Sequence, residues 1–276
     1  MPRITPEIRG RMLARKKQVI DNYLKKVGYE KGKERELFEK VTGKKAAGKV
    51  KLEKNEGGLV FVVKEKDFKA AGGGIFYKVG GKTHELPASG FIPHAGVPGL
   101  GKGKVAFALA GSSNPWIEYT KMHEGQHLKD WHLIKNENAH WKKTVKKAKE
   151  GKASVNDIAQ IIRRDMKDEL RAYVNSSLIS MHEKAQKSPV HRFVSFIDLG
   201  EEIKLINEHL SSNSMRISAK FSSIGPLQAK KVEINKKREE ILKDLRALLF
   251  KMENTIRKEK NPEKLKKILN NAIERF

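Results

Sequence analysis

The sequence predicts an α+β protein: a small mixed or antiparallel sheet, two long helices after it, and further helices at both ends. Three observations lead there. Residues 58–110 hold short apolar or alternating runs punctuated by glycine, whereas residues 116–135 and 154–186 repeat apolar positions every three or four residues. Lysine-rich helical patterning precedes the strands, and helical patterning returns from Ser188 to Phe276. The expected organisation is a basic helical segment over 1–55, a core over 56–187 and a C-terminal helical region over 188–276.

In chain order, Ile8, Met12, Val19, Ile20, Tyr23 and Leu24 outline the apolar side of an N-terminal helix. Gly58 to Val63 reads as a strand, and residues 74–84 read as a hairpin turning at Gly80 and Gly81, where two glycines supply the positive φ angles of a tight turn. Pro87 to Gly103 is too long for a tight turn and reads as a surface or covering loop. His84 and His94 fall in this region and read as loop histidines. Val105, Ala106, Phe107, Ala108, Leu109 and Ala110, ending in Gly111, form a further strand.

Asn114 and Pro115 mark a helix start, and Trp116 to Lys135 contains no proline. Within it, residues 123–127 read His-Glu-Gly-Gln-His. Residues four apart project from one helical face, so His123 and His127 can both reach one zinc ion at about 2.0–2.1 Å. Glu124 stands beside that face, where a carboxylate can take a proton from an attacking water. Thr120, His123, His127, Trp131 and Ile134 share a stripe that becomes apolar, so the histidine face is expected to turn inward. The competing reading is a pair of buried, hydrogen-bonded histidines. Catalytic zinc sites take three protein ligands and leave one position open. An extended HxxGxxH word would supply the third, but Asp130 and Leu133 stand where it needs glycine and histidine, and His132 is one residue out of register.

A second long helix opens with Ser154 as its N-cap and runs to Gln186, carrying Asp165, Asp168, Glu169, Ala172 and Tyr173. An HExxH word followed by a helix with this Glu-x-x-Ala-Tyr word resembles the gluzincin group of zinc metallopeptidases, over residues 104–187. The resemblance implies a zincin-like core and Zn2+ held by His123, His127 and Glu169, with Glu124 as general base; Glu169 follows His127 by 42 residues. Asp168 stays open as an alternative ligand. Tyr173, four residues beyond Glu169, either donates to the oxyanion of a tetrahedral intermediate or packs between helices, with His182 a weaker candidate for that donor. The resemblance also makes the strand Val105 to Gly111 the sheet edge on which an extended substrate pairs. Thermolysin-like members carry aspartate four residues after the ligand glutamate, where this chain has Tyr173, so a partner for the first histidine is unassigned. No motif captures a free peptide terminus, which favours endopeptidase action.

Beyond the core, Phe193–Leu210, Pro226–Lys258 and Pro262–Phe276 are expected helices, with loops at Ser211–Ser214 and Ser222–Pro226. Val232, Ile234, Ile241, Leu245, Leu248, Leu249 and Met252 form the expected apolar face of the longest.

Composition bounds the remaining classes. The 276 residues are 38% apolar, enough for a substantial core, and no run is long and apolar enough to span a membrane. The N-terminal residues lack the hydrophobic run of a secretory signal, so the expected address is the cytoplasm, with export by a dedicated machine, as for an injected toxin peptidase, left open. The absence of cysteine excludes disulfides and thiolate ligation. A net charge of +25 points to an acidic partner: nucleic acid, an anionic membrane surface or an acidic protein. The alternative to a zinc peptidase is therefore a basic helical nucleic-acid-binding or structural protein whose HExxH is incidental.

Overall fold

The computed structural model describes residues 14, 17, 18, 20–54, 58–71, 75–79, 82–86, 90–91, 107–111, 117–131 and 137–276. The chain is α+β and forms two compact units, Met1–Lys135 and Asn136–Phe276. This division differs from the expected boundaries after residues 55 and 187. The reason lies in the apolar faces: the helix bearing Glu169 shares one core with the C-terminal helices, while the N-terminal helices share another with the sheet.

In the first unit, β1 (Lys51–Lys54), β2 (Leu59–Val63), β5 (Gly90–Phe91) and β6 (Phe107–Gly111) form one sheet in the order β1-β2-β6-β5. β2 pairs antiparallel with β1 and parallel with β6, from Leu59↔Phe107 to Val63↔Gly111. All five residues of β2 are buried, as expected of an unbroken apolar strand covered on both faces. β3 (Ile75–Val79) and β4 (Lys82–Leu86) form the separate hairpin expected across Gly80 and Gly81, with Val79 opposite Lys82 and Tyr77 opposite His84.

Helix α1 (Glu34–Thr42) lays Leu37, Phe38 and Val41 on this sheet, where Phe38 meets Phe61 edge to face at 5.7 Å. Ile20 and Leu24 of the preceding helical residues join the same core. After α2 (Glu65–Ala70) begins, Asp67 fixes the chain before β1: its carboxylate accepts the Ala47 and Gly48 N–H groups at 2.7 and 2.9 Å. A Cβ at Gly48 would stand 2.6 Å from Lys64 Cδ and 3.0 Å from Asp67 Oδ2, so a larger residue there would displace the Lys64 side chain. Helix α3 (Ile117–Trp131) packs on β6, β5 and β2. Of the expected elements, Ile8, Met12, Val19, His94, Val105, Ala106, residues 114–116, His132 and Ile134 lie outside the described residues.

The second unit is helical: α4 (Glu137–Lys149), α5 (Val155–Tyr173), α6 (Ile179–Ala185), α7 (Pro189–Ser222), α8 (Lys231–Lys258) and α9 (Pro262–Arg275). Helix α5 places Ile158, Ile162, Met166 and Leu170 four apart in the core, where they meet Leu199, Ile206, Leu210, Ile241, Leu245 and Leu269 from the helices that follow. Residues 211–214 are not a loop but the interior of the 34-residue α7. Asn213 and Ser214 are buried, Ser214 Oγ donates to the Ser211 carbonyl, and Ile217 and Phe221 continue the apolar face, so three serines without glycine or proline do not end a helix. A 3₁₀ turn over Gly225–Lys230 leads into α8. Val232 is 79% exposed and does not belong to the apolar face of α8, whereas Leu242 does.

Among the described residues, no helix is long and apolar enough to cross a membrane.

Candidate metal centre

The two candidate histidines lie on α3 and the candidate third ligand on α5, and each helix belongs to its own unit. On α3 the buried residues Glu124, Gly125, Gln126 and Leu128 lie in the same two turns as the two histidines, which are half-buried. Their rings meet nearly at right angles, 80° apart with centroids 4.7 Å apart, and the two Nε2 atoms stand 3.1 Å from each other. Two nitrogens each about 2.0–2.1 Å from a tetrahedral ion would be about 3.3–3.4 Å apart, so the pair is close to ligand spacing. One shared proton between the rings would give a similar distance. Glu124 is only 6% exposed, and burial of a carboxylate is costly unless a polar or cationic group faces it.

On α5, the Ser154 hydroxyl accepts the Asp157 N–H at 3.1 Å, and the Asp157 carboxylate accepts the Ser154 N–H at 2.9 Å. This capping box starts the helix as expected and so fixes the phase at which Glu169 emerges. Asp157 also takes a hydrogen bond from Lys147 at 3.2 Å. The Ser154 N–H leads in holding its carboxyl below the ordinary range, with smaller help from the Ser154 hydroxyl and Lys147.

Asp168 and Glu169 part company. Asp168 accepts from Arg171 Nη1, whose guanidinium also reaches Glu274 Oε1 through Nη2 at 2.7 Å and Nε at 3.1 Å. Glu169, the neighbour of Asp168 on α5, is half-buried and lies about 100° round the helix from it. Two imidazole nitrogens and one carboxylate oxygen are a donor set suited to zinc.

Tyr173, at the last turn of α5, has its hydroxyl 2.7 Å from His209 Nδ1. His209 belongs to α7, and its Nε2 is 3.2 Å from the Asn213 amide nitrogen. Neither residue was singled out in the sequence, because residues 211–214 read as a loop; the four-residue spacing of His209 and Asn213 carries a signal only once α7 is continuous. Immediately after Tyr173 the helix widens into a π segment, Val174–Leu178, closed by the Ile179 N–H on the Val174 carbonyl. The cause is local: Asn175, Ser176 and Ser177 each donate a side-chain hydrogen bond to the carbonyl four residues back, on Arg171, Ala172 and Tyr173. His182 is fully buried, and its Nε2–H donates to the Glu259 carbonyl oxygen at 2.6 Å, a hydrogen bond that ties α6 to the chain between α8 and α9.

The strand expected to offer an open edge does not lie at the sheet's edge. β6 has β2 along its whole length on one side, and on the other β5 pairs Gly90 with Ala110 and Phe91 with Leu109. At Leu109 and Ala110 the ladder a substrate would use is already occupied.

No family model, curated protein or solved structure matches the chain.

Proposed function

We propose that this chain is a zinc-dependent metallopeptidase of zincin-like core, related in its chemistry to the gluzincins. The observation that carries the reading is the near-ligand spacing of the His123 and His127 Nε2 atoms, 3.1 Å apart, with Glu124 buried on the same helix. When bound, zinc would supply Lewis acidity at a substrate carbonyl and an acidified water. In the proposed reaction Glu124 accepts a proton from the attacking water and returns it to the leaving amine, and His123, His127 and Glu169 hold the ion. Tyr173 donates to the oxyanion as it develops, a charge absent from the ground-state amide. Endopeptidase action is preferred, since the sequence carries no motif for holding a free terminus. The net charge of +25 suits an acidic protein substrate.

The test pairs metal analysis with hydrolysis of an unstructured acidic protein. Wild type is expected to carry one zinc per chain and to cleave. Glu124→Gln is expected to keep the zinc and lose about 10²–10⁴-fold in rate, the range of general-base catalysis. A wild type without zinc, or a Glu124→Gln variant that cleaves at the wild-type rate, would refute the proposal.

A further inference from the structure

We infer that the exposed side of α4 is a docking surface for the phosphate backbone of duplex DNA, bound without regard to sequence. The inference is independent of the metallopeptidase reading, because every residue it uses lies in the second unit and none is a candidate metal ligand. Helix α4 reads ENAHWKKTVKKAK, and Lys142, Lys143, Lys146 and Lys149 are exposed. Residues 142, 146 and 149 follow one another at spacings of four and three, so they form a row about 10 Å long on one helical face. Further cations flank the helix. Lys220 of α7, also exposed, sets its ammonium 4.8 Å from the centroid of the Trp141 ring, with Arg216 one turn before it. On the α5 side, Arg164 and Lys143 lie near His140, whose Nε2 is buried without a hydrogen-bond partner. Adjacent residues on a helix point about 100° apart, so these cations meet α4 from two directions.

Elsewhere in the second unit cations sit on carboxylates: Arg163 on Asp244, Arg171 on Glu274, Arg257 on Glu253 and Lys264 on Glu259. Around α4, Asp157 is held by Lys147 at 3.2 Å and Glu150 by Lys152 at 3.2 Å, with Lys146 at 3.9 Å. Among the described residues, Lys142, Lys143, Lys149, Arg164, Arg216 and Lys220 have no ion pair. The crowding opposes the fold: burial, and after it Arg216, hold the Lys220 ammonium below its ordinary value, and burial, then Arg164, do the same to His140. A polyanion relieves that repulsion on binding. The make-up of the surface selects the occupant. Every exposed position of α4 among the described residues is a lysine, so it offers neither the apolar anchor of a protein interface nor the inserting face of a membrane helix. Trp141 has Lys220 over its ring and Phe221 against it at 5.2 Å, which leaves it unsuited to stacking an unpaired base. Flexible ammonium groups read charge, not base edges. Duplex DNA carries one phosphate charge per about 1.7 Å of axis, a density that suits a close row of lysines.

The experiment follows the fluorescence anisotropy of a labelled DNA duplex of mixed sequence with the full chain in chelator, over about 50–200 mM salt. Five ammonium groups on five phosphates, those of Lys142, Lys143, Lys146, Lys149 and Lys220, are expected to give a slope of log K against log salt of about −4.5. The triple change Lys142→Gln, Lys146→Gln and Lys149→Gln is expected to make that slope shallower by about 2.7, and Lys220→Gln alone, from a different helix, by about 0.9. A triple change of the same net charge at the exposed Lys258, Lys260 and Lys267 is expected to leave the slope unaltered. Circular dichroism checks that each variant keeps its helices. Equal losses in the two triple variants would assign binding to net charge and overturn the α4 surface. No binding at the lowest salt, or single-stranded DNA or polyglutamate bound as tightly as the duplex, would overturn it as well. Because the metal is chelated throughout, each of these outcomes leaves the zinc reading standing.

Discussion

Neighbouring carboxylates on one helix give the sharpest test of the ligand set: Asp168→Ala against Glu169→Ala. Asp168 accepts from Arg171 with both side chains about one-fifth exposed, and Arg171 retains two hydrogen bonds to Glu274 when Asp168 is removed. No charge is orphaned, so Asp168→Ala is expected to cost about 1 kcal/mol. At roughly 2–4 °C per kcal/mol for a domain of this size, its melting temperature should fall by about that interval with or without metal. Zinc at a hundred times its Kd adds about 2.7 kcal/mol to the folded state, a rise of roughly 5–10 °C. Wild type and Asp168→Ala should both show that rise, and Glu169→Ala should lose most of it at the same free zinc. The assay is thermal unfolding by circular dichroism in zinc-buffered and chelated solutions. A zinc-dependent rise kept in Glu169→Ala but lost in Asp168→Ala would invert the assignment, and no rise in any of the three would remove the metal from the argument.

Other substitutions test the parts that hold the site. Asp157 has its carboxyl held below its ordinary value of 3.8, so its contribution is present above that value and lost as pH falls through the lower folded value. Asp157→Ala should therefore cost about 1 kcal/mol at pH 7 by urea unfolding, with the gap to wild type closing below pH of about 4. Asp67→Ala should cost about 1–3 kcal/mol, since it leaves the buried Gly48 N–H without its acceptor, while the N–H of exposed Ala47 can turn to water; a loss under about 1 kcal/mol would show that water replaces the carboxylate at both. Val232→Lys on the exposed side of α8 should change stability by no more than about 0.5 kcal/mol, and a larger loss would restore Val232 to the apolar face.

The features legible in the sequence are those whose cause is local. The Gly80–Gly81 hairpin, the Ser154 cap and the α3 helix each follow from residues within a few positions of one another, and each is found where expected. Features set by distant partners were not legible. Whether β6 is an edge depends on β5, a two-residue strand inside a long glycine- and proline-rich stretch, and no periodicity in Val105 to Gly111 encodes that neighbour. The loop expected at Ser211–Ser214 failed for a related reason: serine is a weak helix former by itself, but the flanking Leu210 and Ile217 are core residues, and their burial carries the helix across.

The same distinction separates the members of the candidate site. His123 and His127 could be paired from spacing alone, because one helical turn determines that they share a face. Choosing Glu169 over Asp168 could not be done that way, since adjacent residues on a helix point about 100° apart and only the surroundings say which direction matters. The deciding residue is Arg171, which takes Asp168 as its partner and is itself anchored by Glu274, more than one hundred positions away. His209 and Asn213 are a case of the same kind, a four-residue pair on α7 whose significance comes from Tyr173 on α5. In the proposed site the paired histidines are written in the local sequence, while the choice of a third ligand depends on what the distant helices neutralise or hold. Arg171→Ala is the corresponding perturbation: it takes away the cation that Asp168 holds, and competition from that carboxylate should then appear as altered zinc affinity where Asp168→Ala shows none.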